Sequence, residues 1–449
     1  APIDLPFAPR QCIFLPDGRL VVTDNFGGGL AVIDVERRNV TQLARIQGHN
    51  LGGLALSHDR RHLLISQQTL SGSETTTEDP VFWGQLLNNS LRTVSLEELS
   101  LKELSLQERA LQEWARQERS NEELPQDEPL RGTVLPLGEP HHGTGDPSAV
   151  WVGRRGQTIV CLSGVDQVAV RDTESLPMLR LDVGRRPVAI AVDREETTAF
   201  VALQFDAALD MIDLKTRQVV GRISLEPNPK REPTLVEQGE TLFHDARLSL
   251  DGWFSCHSCH IDGHSNHLVN DNLGDDSFGA PKRVPSLLGA GRTGPWAWNG
   301  HQAHLDQQIG KSIRMTMRGD DRAASPKNAA ALAAYVATLE PAPSLAAARD
   351  QIDASRIAEG RRMFERLGCA DCHAGREYTR PGAFDVGLAD ERGERRFNPP
   401  SLLGVSQRDA LFHDGRAKSL EEVVGKFRHA EIDVPASDRP SLLAFLRSL

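Results

Sequence analysis

Nothing in this 449-residue sequence approaches the roughly 18 consecutive apolar residues that a membrane-spanning helix requires. Basic residues are not in excess either: 51 Lys and Arg stand against 62 Asp and Glu, for a formal net charge of −11. A nucleic-acid partner would ask for a basic face, so none is expected. Acidic charge can instead help to orient a basic redox partner. Cysteine is sparse: there are six, and four of them fall in two short motifs. The other two, Cys12 and Cys161, sit in strand-like apolar runs and read either as a disulfide or as two buried free thiols. The chain opens on Ala1-Pro2 with no charged-then-apolar leader, and the expectation is a mature form of a protein that is periplasmic or otherwise exported.

What is there suggests more than one domain. The length exceeds one compact core, and 39% apolar with 25% charged residues is ordinary for globular chains. Residues 1–228 read as β. Short apolar runs such as Leu20-Val-Val-Thr and Leu30-Ala-Val-Ile-Asp are split by turn signals such as Pro16-Asp-Gly. Turns opened by Asp17 and Asp59 lie 42 residues apart (59 − 17), and those around Gly156 and Glu195 lie 39 apart (195 − 156). A period near 40 with four short strands per unit marks propeller blades, and about four units are present. An open β-sandwich is the alternative. Between residues 88 and 129 the β pattern stops, and a run rich in Leu, Glu and Gln reads as a mostly helical insertion.

From Pro233 onward the pattern is helical, with segments opening at Pro233, Asn328, Ser355 and Ser441. Two motifs dominate this part: Cys256-His-Ser-Cys259-His260 and Cys369-Ala-Asp-Cys372-His373. In this pattern two thiols on one turn reach the vinyl groups of a haem, and the following His reaches the iron. A redox dithiol, a zinc site and a disulfide use similar pairs. Zinc would want further Cys/His pairs at short spacing, and two complete copies favour haem. Both lie inside a duplication: Pro285-Ser-Leu-Leu-Gly289 returns as Pro400-Ser-Leu-Leu-Gly404, an offset of 115 (400 − 285). The fold expected is multidomain: a propeller-like all-β domain over 1–228, then two mostly α haem domains of cytochrome c type over 229–342 and 343–449.

Leu242-Phe-His-Asp-Ala-Arg-Leu-Ser, Trp298-Asn-Gly and Phe412-His-Asp-Gly-Arg-Ala resemble the bacterial dihaem cytochrome c peroxidases and their MauG relatives. The phrases Thr23-Asp-Asn and Val201-Ala-Leu, with the strands that follow, resemble the YVTN-type propeller repeat. The first resemblance implies two c-type haems, one for peroxide chemistry and one as electron store. It makes Cys256, Cys259, Cys369 and Cys372 the attachment residues and His260 and His373 the proximal ligands. It also makes Trp298 an inter-haem relay, with a core Trp as the alternative. Two positions depart from the family. Arg318 stands where it carries a distal Glu, with Met315 and Met317 just before as candidate ligands or core fillers. Phe427 stands where it carries a second Met or Tyr ligand. His429, two residues on, could serve instead or be a surface His. His413 could shape that pocket or serve helix packing or capping. Of His257, His264 and His267, beside the first motif, one could approach that haem, but each is expected to face solvent. Acidic residues from Asp271 to Asp276 could hold calcium or form a plain turn.

The function expected is an exported dihaem oxidoreductase, moving electrons between its haems with peroxide-dependent oxidation at one of them. Its partners would be a redox protein or hydrogen peroxide. The alternative is a non-enzymatic electron-transfer cytochrome whose propeller docks a protein partner. A further reading has the propeller's ligand sensed through haem redox state.

Overall fold

The computed structural model describes residues 2–101, 129–173, 175–226, 231–349 and 351–449. The chain divides into two compact units. One comprises Ala1–Ser71, Asp79–Glu232 and Phe243–Ile261, the other Gly72–Glu78, Pro233–Leu242 and Asp262–Leu449. Cys256, Cys259 and His260, which the sequence reading assigned to a haem domain starting at 229, thus lie in the first unit, with the β-sheets.

That unit is built from four four-stranded antiparallel meanders. Blade one is β1–β4 (Pro9–Phe14, Leu20–Asp24, Gly29–Asp34, Asn39–Arg45). Blade two is β5–β8 (His49–Leu56, His62–Leu70, Leu87–Ser95, Thr133–Pro136). Blade three is β9–β12 (Pro147–Val152, Thr158–Leu162, Gln167–Arg171, Leu179–Asp182). Blade four is β13–β16 (Pro187–Val192, Thr198–Leu203, Ala208–Asp213, Gln218–Ser224). The four turn residues picked out by sequence, Asp17, Asp59, Gly156 and Glu195, all fall between the first and second strands of their blades.

Alternation along the strands builds the core. On β6, Leu63 and Ile65 pack with Leu30 and Val32 of blade one, while Leu64 between them packs with Val160 and Leu162 of blade three. On β10, Ile159 and Cys161 turn the other way, onto Val201 and Ile212 of blade four. The outer face of blade one, with Val22, Ala31 and Ile33, is covered by Ile3, Leu5 and Phe7. Where β5 meets β9 the backbones nearly touch: a Cβ on Gly52 would lie 2.3 Å from the Pro147 carbonyl oxygen.

Two sequence expectations are corrected here. Residues 88–95 belong to β7, not to an insertion. The polar residues that broke the pattern are buried and hydrogen-bonded: Asn89 donates to the Trp253 carbonyl, and Arg92 to Gln67. A helix does follow at Leu96–Leu101, and the rest of the insertion lies outside the described residues. Cys12 is exposed on β1 and Cys161 is buried in blade three. Both are free, so neither a disulfide nor a pair of buried thiols is present.

The second unit carries the duplication in its packing. Helix α1 (Leu235–Phe243) meets α3 (Pro326–Val336) through Gly239, whose Cβ would lie 2.0 Å from the Ala331 carbonyl oxygen. Helix α4 (Ala354–Arg366) meets α6 (Arg439–Ser448) through Gly360, whose Cβ would lie 1.9 Å from the Ser441 carbonyl oxygen. Only hydrogen fits at either crossing. Helices α2 (Leu305–Met315) and α5 (Leu420–Gly425) repeat in the same way.

Candidate functional site

Cys369–Asp371 forms a tight turn that follows Gly368, a residue at φ +81°. The His373 amide donates to the Cys369 carbonyl at 2.9 Å, so the turn delivers two thiols and an imidazole together. His373 Nδ1 lies 3.2 Å from the Tyr378 carbonyl oxygen. That oxygen can only accept, so the proton sits on Nδ1 and the Nε2 lone pair is left for a metal. Burial, reinforced by the nearby His429, pushes the His373 pKa down to about 4, which keeps the ring neutral.

His429 faces it. The two ring centroids are 6.4 Å apart with 48° between their planes. A ligating nitrogen sits about 2 Å from a transition metal and about 1.1 Å from its own ring centre, so two imidazoles sharing one metal have centroids about 6.2 Å apart. His429 is half-buried, its Nδ1 has no hydrogen-bond partner, and burial pushes its pKa down to about 4 as well. The Ala430 amide donates to the Val386 carbonyl at 2.8 Å. Ala430 and Glu431 both take left-handed conformations, φ +53° and +61°, a strain of the kind found at functional sites. Phe412 packs its ring 5.2 Å from His429 and 5.5 Å from Phe427. Phe427, at the family's ligand position, therefore belongs to the wall. The donor set suits a haem: adjacent thiols and two imidazoles whose spacing matches that of ligands sharing one metal.

The thiols themselves argue against a redox dithiol, which needs lowered thiol pKa values. Burial instead pushes Cys369 up to about 11 and Cys256 and Cys259 each up to about 12. All four motif cysteines are free.

The first motif is one helical turn, Cys256–Cys259, capped by Ser255, and the His260 amide donates to the Cys256 carbonyl at 2.9 Å. Blades two and three grip it through buried polar groups. The Asp146 carboxylate accepts from Ser255 Oγ at 2.5 Å and Ser258 Oγ at 2.7 Å, and lies 3.8 Å from His257 Nδ1. Gln68 donates to Ser258 Oγ at 3.1 Å, and His49 Nε2 lies 3.1 Å from the Ser258 carbonyl oxygen. Burial opposes the charge on Asp146, but the nearby His257 imidazole and the bond from Ser255 outweigh it and hold the carboxyl well below its usual range. His257 and His264 are buried and His267 nearly so, against the expectation that they face solvent. Each packs against another imidazole: His257 against His244, and His264 against His267.

Trp298 is half-buried. Its Nε1 donates to the Arg283 carbonyl at 2.9 Å, and the Arg283 guanidinium lies 5.4 Å from its ring centre. Met317 is 5% exposed, whereas Met315, at the end of α2, is 38% exposed. The Met315 carbonyl accepts from Thr76, and Arg318, at φ +56°, donates to the Thr76 carbonyl. His413 is buried and stacks on Phe397 at 4.0 Å. In the acidic loop, Asp275 pairs with Lys282 and Asp276 with Lys311. Among the described residues no cluster of three or more His, Cys, Asp or Glu could hold an ion.

Sequence reasoning missed Asp146, whose partners Ser255 and Ser258 lie more than a hundred residues away. It also missed Arg283 and Arg408. An alignment of the two halves could have found these, since the offset of 115 sets them against Asn398 (398 − 283) and Thr293 (408 − 293).

A family model described as di-haem cytochrome c peroxidase matches residues 233–368 and 363–448. The chain is similar to hydrazine synthase subunit gamma of Kuenenia stuttgartiensis, 26% identical over 245 residues, covering 42% of this chain and 69% of that one. It is similar to the methylamine utilization protein MauG of Methylorubrum extorquens, 25% identical over 303 residues, covering 54% and 85%. It is also similar to cytochrome c551 peroxidase of Nitrosomonas europaea, 24% identical over 268 residues, covering 48% and 79%.

Proposed function

We propose that this chain, which belongs through residues 233–448 to the di-haem cytochrome c peroxidase family, is an oxidoreductase with two c-type haems that reduces peroxide at one and stores an electron at the other. Cys369 and Cys372, with His373 and His429, would hold the storing haem. Cys256, Cys259 and His260 would hold the other, which would supply the reaction with peroxide. Hydrogen peroxide takes two electrons and two protons to give two waters, and a redox partner supplies the electrons. An exported location belongs to the same proposal.

The opposed imidazoles of His373 and His429 carry this reading. A haem closed on both faces supplies reversible one-electron storage, while an open axial position supplies reaction with peroxide. His373 is held in its ligating tautomer by the Tyr378 carbonyl. Trp298, fixed through its indole N–H, is the residue to which this reading assigns the electron relay.

Arg318 favours a second reading, an electron-transfer cytochrome. It replaces the family's acid–base carboxylate and offers hydrogen-bond donors but no base. Addition of cyanide or peroxide to the ferric and half-reduced protein separates the two. A spectral change confined to one haem is expected, and two unreactive low-spin haems would leave transfer alone.

A further inference from the structure

Among the described residues, Arg283 and Arg408 are two guanidiniums with no acid beside them. Arg283, 3% exposed, donates only to the carbonyls of Phe412 and Val284, at 3.2 and 3.3 Å. Among the described residues Arg408, which is half-buried, donates only to those of Ser401 and Leu403, at 2.8 and 3.0 Å, and its Nε atom is buried with no partner. Among the described residues no carboxylate comes within ion-pair distance of either. A buried cation without a counter-charge is costly, and carbonyl dipoles offset that only in part. Burial, with Arg408 as a like charge nearby, lowers the pKa of Arg283 to about 9, and burial lowers that of Arg408 to about 10. The imidazoles around them, His264 and His267, add no negative charge. The carboxylate 3.9 Å from His267, Asp409, has its side chain 82% exposed.

Both guanidiniums border the His373–His429 site. Arg283 bonds the carbonyl of Phe412, whose ring packs 5.2 Å from His429, and Arg408 bonds the carbonyls on either side of Leu402, which belongs to the same apolar cluster as Cys369. The duplication makes the pair one-sided. The Arg283 amide donates to the His413 carbonyl, and in the other half the Asn398 amide donates to the Trp298 carbonyl, both at 2.7 Å. Arg283 thus has neutral Asn398 as its counterpart, and Arg408 has neutral Thr293.

We propose that Arg283 and Arg408 form a carboxylate-binding pair that receives the propionates of the haem attached at Cys369 and Cys372, with Arg283 linking that edge to the Trp298 indole. This rests on the haem assignment above. Guanidinium donors match carboxylates in geometry as well as charge. Positive charge at a haem edge also favours the reduced form, so the pair would raise the potential of the storing haem above that of its partner.

Spectroelectrochemical titration of the holoprotein tests this with Arg408→Gln, Arg283→Gln and Arg408→Lys, each checked for full haem content by pyridine haemochrome. The Gln variants are expected to lower the midpoint of the low-spin storing haem and leave the other haem unchanged. Arg408→Lys, which keeps the charge, is expected to stay near wild type. An unmoved storing haem in both Gln variants, or equal shifts in Arg408→Lys and Arg408→Gln, would overturn the assignment. Wild-type protein lacking haem at Cys369 and Cys372 would overturn the underlying reading, and this one with it.

Discussion

Trp298 and His413 occupy the same place in the two halves of the duplication. Each follows a left-handed residue, Ala297 at φ +68° and Phe412 at φ +67°, and each precedes a left-handed glycine, Gly300 and Gly415. The turns are closed by matching bridges, Trp296 to Gln302 and Leu411 to Ala417. One residue serves both: Arg283 donates its amide to His413 and accepts the Trp298 indole N–H. Trp298 is therefore held from both its backbone and its ring.

If that indole relays electrons, Trp298→Phe removes it while keeping an aromatic ring. Peroxide-dependent oxidation of a reduced donor should fall at least about tenfold, which corresponds to about 1.4 kcal/mol in the barrier. Haem content and the spectrum of the storing haem should not change. Stopped-flow kinetics checks this, and undiminished turnover would remove the relay.

Asp146 ties the first motif to the blades, accepting from Ser255 and Ser258 in a buried setting. Asp146→Ala strands both hydroxyls and should cost about 3 kcal/mol of stability. It should also broaden or shift the resonances of the haem at Cys256 and Cys259 while leaving those of the other haem in place. Denaturant midpoints and paramagnetic resonance spectra report the two effects separately. If both haems shift alike, the network does not serve the first site.

Gly360 lets α4 approach α6 to the point where a Cβ would overlap the Ser441 carbonyl. Alanine there gains helix propensity of about 1 kcal/mol. The clash should outweigh that gain and leave a net loss of about 2 kcal/mol. Gly239→Ala should behave alike at Ala331. A higher denaturation midpoint in either variant would contradict the crossing geometry.

Much of this was legible because it is local. The turn residues Asp17, Asp59, Gly156 and Glu195 recur at one place in each blade, and backbone conformation at a turn is written in a few adjacent residues. The two Cys-x-x-Cys-His motifs are contiguous and needed no tertiary information. Strand β7 was lost because Asn89 and Arg92 look like loop residues until their distant partners, Trp253 and Gln67, are known. His429 could be named from spacing, but not which way it faced. Its direction is set by the loop at Ala430 and Glu431, and its meaning by a ring 56 residues earlier (429 − 373). Arg283 and Arg408 carry no local signal in the sequence, since only the fold buries the first and half-buries the second.

The most direct test of the account is electron paramagnetic resonance of the ferric protein beside His429→Ala. The wild type should give a low-spin signal of a haem with two imidazole ligands. In the variant that signal should give way to a high-spin one, with covalent haem content unchanged. A storing haem already high-spin in the wild type, or a low-spin signal that survives the substitution, would contradict the pairing of His373 with His429.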